Sequence, residues 1–175
     1  MEREILFDNQ WIQMCKIDDY VFSHEKRCNG KIVAIFPFIP EPFQYLARME
    51  ATPCIENDKI RFCSITGGVE HDDPVATAIL ELQEEAGIIA EKHELIKLGI
   101  VNPSKSQDTE VYLFGIDITN KEIGKATGDG SEHDKNAFCK MMNDIYALVG
   151  CKDPLNLVMF LRLALLKRID IGKLL

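Results

Sequence analysis

The sequence predicts an α/β sandwich with a strand-rich N-terminal half. Short alternating runs of apolar and polar residues fill the first 70 positions, a capped helical segment follows, and the tail carries long apolar stretches. The 175 residues, 46% of them apolar and only 11 Gly and 7 Pro, suffice for one packed core. No repeat, linker or low-complexity tract offers a domain boundary, so a single domain is expected.

Strands are expected at 11–17, 20–25, 31–39, 44–51 and 59–66, where apolar and polar residues alternate. Turn chemistry separates them: Asn29-Gly30 joins two, and Pro40-Glu41-Pro42 ends another. Asp73-Pro74 then reads as a helix start, and no Gly or Pro recurs until Gly87, which predicts a helix over 74–86. Its apolar residues Val75, Ala78, Ile79, Leu82 and Ala86 recur at three- and four-residue steps. Two further strands, 94–101 and 110–118, flank the polar loop NPSKSQDT, and 124–134 is too polar and Gly-rich to be regular. The tail reads as helices over 136–150 and 154–175, the second with Pro154 in its first turn.

A formal charge of −8 and a pI near 5.0 exclude broad nucleic-acid binding. They also mean that a phosphorylated ligand needs a cation between itself and the protein, for which a divalent metal is the natural choice. No 18-residue apolar run is present and MEREILFDNQ lacks the pattern of a cleaved leader, which predicts a cytoplasmic chain without a membrane segment. Six cysteines (Cys15, Cys28, Cys54, Cys63, Cys139, Cys151) form no C-x-x-C pair and read as free thiols.

The chemistry concentrates on the helix. Glu81, Glu84 and Glu85 stand three and four residues apart and project from adjacent turns, and the nearest basic residue after Glu81 is Lys92. Like charges so spaced cost about a few tenths of a kcal/mol per pair, and hard oxygen ligands of this kind suit Mg²⁺ or Mn²⁺. The alternative is a solvated acidic face.

The stretch GGVEHDDPVATAILELQEEAGI, Gly67 to Ile88, resembles the signature of the Nudix hydrolases, G-x5-E-x7-R-E-U-x-E-E-x-G-U with U aliphatic. Gly68, Glu81, Leu82, Glu84, Glu85, Gly87 and Ile88 match it. Leu80 stands where that pattern has arginine, Asp72 stands in place of the upstream glutamate, and the loop from Gly68 to Glu81 is two residues shorter. The resemblance implies one domain over 1–175, a Nudix-type α/β/α sandwich with a mixed central sheet, with an N-terminal strand region at 1–58, the signature at 67–88 and C-terminal helices at 135–175.

It further implies Mg²⁺ or Mn²⁺ held by Glu81, Glu84, Glu85 and the backbone carbonyl of Gly67, with Glu84 and Glu85 acting in catalysis. A general base or extra ligand would come from the loop at 128–134, Glu132 first and Asp134 second; Ser131 and Glu132 would otherwise cap the next helix. Pro103, fifteen residues after Ile88, resembles a feature of ADP-ribose and nucleotide-sugar pyrophosphatases. By the same resemblance the N-terminal strands would serve a homodimer and help cover the base. Ser64 departs from that subfamily, which often has glutamate in the strand before the glycine. Arg48 and Arg61 are candidate phosphate or ribose contacts, or solvated surface residues. Trp11, Phe22, Phe36, Phe38 and Phe43 could stack a base or fill the core, and His71 could meet a phosphate or merely occupy the loop. The implied function is a Mg²⁺-dependent pyrophosphohydrolase that cleaves a nucleoside diphosphate linked to another moiety, ADP-ribose or a nucleotide sugar, to a nucleoside monophosphate and a phosphorylated product. The alternatives are a Nudix-fold sensor that binds such a nucleotide with weak or no hydrolysis, and an acidic structural domain without metal.

Overall fold

The structure, a computed structural model, describes residues 2–52, 60–128 and 136–174. Three antiparallel strands, β1 (Glu4–Asp8), β2 (Ile12–Ile17) and β3 (Tyr20–Glu25), form a separate N-terminal sheet. The main sheet has seven strands: β4 (Lys31–Pro40), β5 (Phe43–Ala51), β6 (Ile60–Cys63), β7 (Ile65–Gly68), β8 (Ile96–Val101), β9 (Glu110–Asp117) and β10 (Phe138–Met142). Five of them run in the order β10-β5-β4-β9-β8, while β6 pairs with β5 and β7 with β4. The β4–β9 pair is parallel, Lys31 opposite Glu110 through Phe38 opposite Asp117, which makes the sheet mixed.

Helices cover both faces. Side chains of successive strand residues point to opposite sides, so β4 sends Val33 and Ile35 to α1 (Pro74–Ala86), where Ala78, Leu82 and Ala86 meet them. Ala34, Phe36 and Phe38 point the other way, to Met159, Phe160 and Leu163 of α3 (Pro154–Leu165). Burial on both faces explains why β4 reads as an unbroken apolar run. The three layers agree with the expected sandwich. Among the described residues no helix is long and apolar enough to cross a membrane, and the five described cysteines are free.

The tail corrects two expectations. The segment 136–150 does not form one helix: Phe138–Met142 is β10, paired antiparallel with Tyr45–Met49 of β5, and only α2 (Ile145–Gly150) is helical. An open β5 edge leaves backbone donors and acceptors to satisfy, and the Cys139/Met141 alternation turns both side chains toward the α1 layer, which outweighs helical propensity. The helix over 154–175 also stops early, at Leu165, where Lys167 takes a left-handed φ of 56° and the chain turns back to bury Ile169. At the other end, 4–8 form a strand that composition alone did not reveal.

Ser64 divides the expected 59–66 strand into β6 and β7. Its amide and hydroxyl both donate to Asp153 Oδ2, at 2.7 and 2.5 Å, and Asp153 Oδ1 caps α3 by accepting from Leu155 N at 2.9 Å. The kink thereby ties the strand that leads into Gly67 to the start of α3.

Candidate active site

The local sequence fixes α1 firmly. Asp73 accepts from the amides of Val75 and Ala76 at 3.1 Å each, Pro74 occupies the first turn, and Gly87 adopts φ 66° to close the C-terminus. The shortened loop ahead of it uses two consecutive left-handed residues, His71 (φ 51°) and Asp72 (φ 55°). Thr77 braces the loop, accepting from Glu70 N at 3.0 Å while donating to Asp73 O at 3.0 Å. Lys31 pairs with Asp72 at 2.7 Å and holds its carboxyl below the usual range.

The three glutamates part company. Glu81 crosses directly over Gly67: a Cβ at that position would lie 1.7 Å from Glu81 Oε1, so only glycine leaves room for the carboxylate. Glu81 and Glu84, with Gly67 and Gly68, line a recess of about 540 Å³ that also includes Glu25, Glu70, Arg27 and Cys28. Glu85 turns to the sheet, where its Oε1 stands 3.2 Å from the Arg48 guanidinium. Arg48 also donates to Glu50 at 2.8 Å, and the Cys139 thiol donates to the carbonyl of Glu85 at 3.3 Å.

Of the other candidate residues, Arg48 is buried in these pairs. Arg61 lines a separate recess with Cys63, Cys151, Lys152 and Asp153. Pro103 is exposed in the loop after β8, a loop that docks on the N-terminal sheet through His24–Asp108 contacts at 3.0 Å. His71 is exposed beside the recess, while Phe36, Phe38 and Phe43 belong to the core. Glu132 and Asp134 lie outside the described residues. Two described residues meet the last turn of α1: Gly128 N donates to Glu84 O at 2.9 Å, and the Cys139 thiol donates to Glu85 O.

Sequence reading missed Arg27. It lies on the wall shared by the acidic recess and a second one of about 530 Å³ lined by Trp11, Ile12, Ser23, Gln107 and Thr109, and it stacks 5.7 Å over the Trp11 ring. Nothing in KRCNG distinguished it from a solvated arginine, because its position depends on how the two sheets meet.

Among the described residues no group of three or more His, Cys, Asp or Glu side chains is arranged to hold a metal ion. The carboxylates that share the recess, Glu25, Glu70, Glu81 and Glu84, are hard oxygen donors beside the Gly67 backbone, and Glu81 lies where a Cβ at Gly67 would stand. That set fits Mg²⁺ or Mn²⁺ chemically.

No family model matches the sequence, and no curated protein matches it. Among solved structures, the chain is similar to one titled "Crystal structure of ADP compounds hydrolase", with a TM-score of 0.67 and 13% identity over 94% of this chain and 90% of that one. The likeness establishes a shared α/β fold over nearly the whole length.

Proposed function

We propose that the chain is a Mg²⁺- or Mn²⁺-dependent pyrophosphohydrolase of the Nudix type, acting on a nucleoside diphosphate joined to a second moiety, ADP-ribose or a nucleotide sugar. The observation that carries this reading is the approach of Glu81 to Gly67, with Glu84 lining the same recess, at the strand-to-helix junction where the sequence resembles the Nudix signature. The fold shared with an ADP compounds hydrolase supports it.

In this reading Glu81, Glu84 and the Gly67 carbonyl hold the cation, and Glu85 supports them from the sheet side. A bound ion would neutralise the carboxylates, polarise the phosphorus and lower the pKa of an attacking water. Arg27, the cation on the recess wall, receives the anionic diphosphate, and Trp11 beyond it offers a ring for the nucleoside. Glu132 is the proposed base, by the resemblance of the sequence. Arg61 and Pro103 serve the more distant parts of the substrate. A homodimer through the N-terminal sheet is also proposed, supported by the exposure of Ile5, Leu6, Phe7 and Val21 on β1 and β3.

The test is release of nucleoside monophosphate from a panel of nucleoside diphosphate derivatives, with Mg²⁺ or Mn²⁺ and after chelation. Turnover that disappears with EDTA supports the proposal, and absence of turnover with every compound and both metals would refute it. One observation favours a second reading, a nucleotide sensor: Leu80 is 39% exposed where the Nudix pattern has arginine. Thermal stabilisation by ADP-ribose without product would select that reading.

A further inference from the structure

We propose that Arg48 is a positioning residue for Glu85, holding the last turn of α1 from the sheet. The proposal rests on the hydrolase reading above.

Arg48 sits on β5 between two neighbours in register, Cys139 of β10 and Cys63 of β6. Leu46, two residues back, points into the α1 layer, so Arg48 shares that direction. Its side chain is 6% exposed and that of Glu85 is 13% exposed, far from the setting of a solvated surface pair. In so dry a place a guanidinium holds a carboxylate far more firmly than it would in water. Cys139 fixes the carbonyl of the same glutamate, so sheet residues on two adjacent strands grip both the side chain and the backbone of Glu85. Glu84, next in sequence, faces the acidic recess. The last turn of α1 therefore cannot rotate without breaking the Arg48 pair, and the aim of Glu84 depends on that pair. Arg48 so placed acts through Glu85 and touches no substrate.

The experiment compares parent protein, Arg48→Gln, Arg48→Lys, Glu85→Gln and Arg48→Gln/Glu85→Gln, after circular dichroism has shown each to be folded. Mn²⁺ affinity is read by the loss of the free-ion paramagnetic resonance signal, and kcat and KM are measured on ADP-ribose. The expected result is Mn²⁺ affinity about 10- to 100-fold weaker in Arg48→Gln, with kcat lowered and KM nearly unchanged. Arg48→Lys should recover part of both, and the double variant should be no worse than Glu85→Gln. Parent-like Mn²⁺ affinity in Arg48→Gln, a rise in KM at unchanged kcat, or additive losses in the double variant would overturn the proposal alone. A parent that neither binds Mn²⁺ nor turns over substrate would instead overturn the hydrolase reading, and this proposal with it. Should Arg48→Gln not fold, Arg48→Lys against Glu85→Gln decides by the same readouts.

Discussion

Glu81 fills the space that a side chain at position 67 would need, which makes a small substitution at Gly67 informative. Gly67→Ala would drive its methyl into the carboxyl end of Glu81, a flexible group that can swing aside at little cost to folding. We expect a melting temperature close to the parent's together with loss of metal-dependent turnover, checked by calorimetry and the monophosphate assay. The cysteines give a second residue-scale prediction. Burial above all, with help from nearby carboxylates, pushes the thiols of Cys63 and Cys139 from 9.0 up to about 12. A group whose pKa rises on folding favours the folded state below its unfolded pKa, so this contribution is complete below pH 9.0 and fades as pH climbs toward about 12. Denaturant midpoints should therefore fall across that interval, and iodoacetamide should modify neither thiol in folded protein at pH 8. The acidic trio was legible because its spacing and lack of lysine need no tertiary knowledge. The roles of Arg48 and Arg27 were not, since each depends on which strand or sheet lies beside it.

At the scale of elements, α1 is the piece that the sequence specifies most completely. Cap, first-turn proline, apolar spacing and terminal glycine all lie within fifteen consecutive residues, 73–87, and each acts locally. Asp73→Ala should lower stability, because the amides of Val75 and Ala76 lose their capping acceptor. Gly87→Ala should cost more than about 1 kcal/mol, because φ is 66° and a Cβ would meet the Gly124 carbonyl oxygen at 2.4 Å. Urea unfolding of both variants measures the two. β10 is the opposite case: NAFCKMMNDIYALVG carries no breaker, and only the free edge of β5 makes a strand of its first half. Local propensity cannot see an unpaired edge contributed by residues some ninety positions earlier, as with Met141 opposite Leu46.

Across the whole molecule, the sandwich follows from β4, buried on both faces and shared by the two helical layers, and that layering could be read from the order of strand-rich and helical segments. The separate N-terminal sheet could not, because the same alternating pattern serves one sheet as well as two. That sheet leaves Ile5, Leu6 and Phe7 each about half exposed, at 54, 49 and 53%. Light scattering behind size exclusion should return twice the chain mass of 19.9 kDa, and Phe7→Lys should halve it. The claim on which the rest depends is that Glu81 and Glu84 hold a catalytic cation at Gly67. It is tested most directly by Mg²⁺-dependent release of AMP from ADP-ribose by the parent, Glu81→Gln and Glu84→Gln. The parent should turn over substrate and each variant should lose at least about 10²-fold; equal rates in all three would rule out a cation held by these carboxylates.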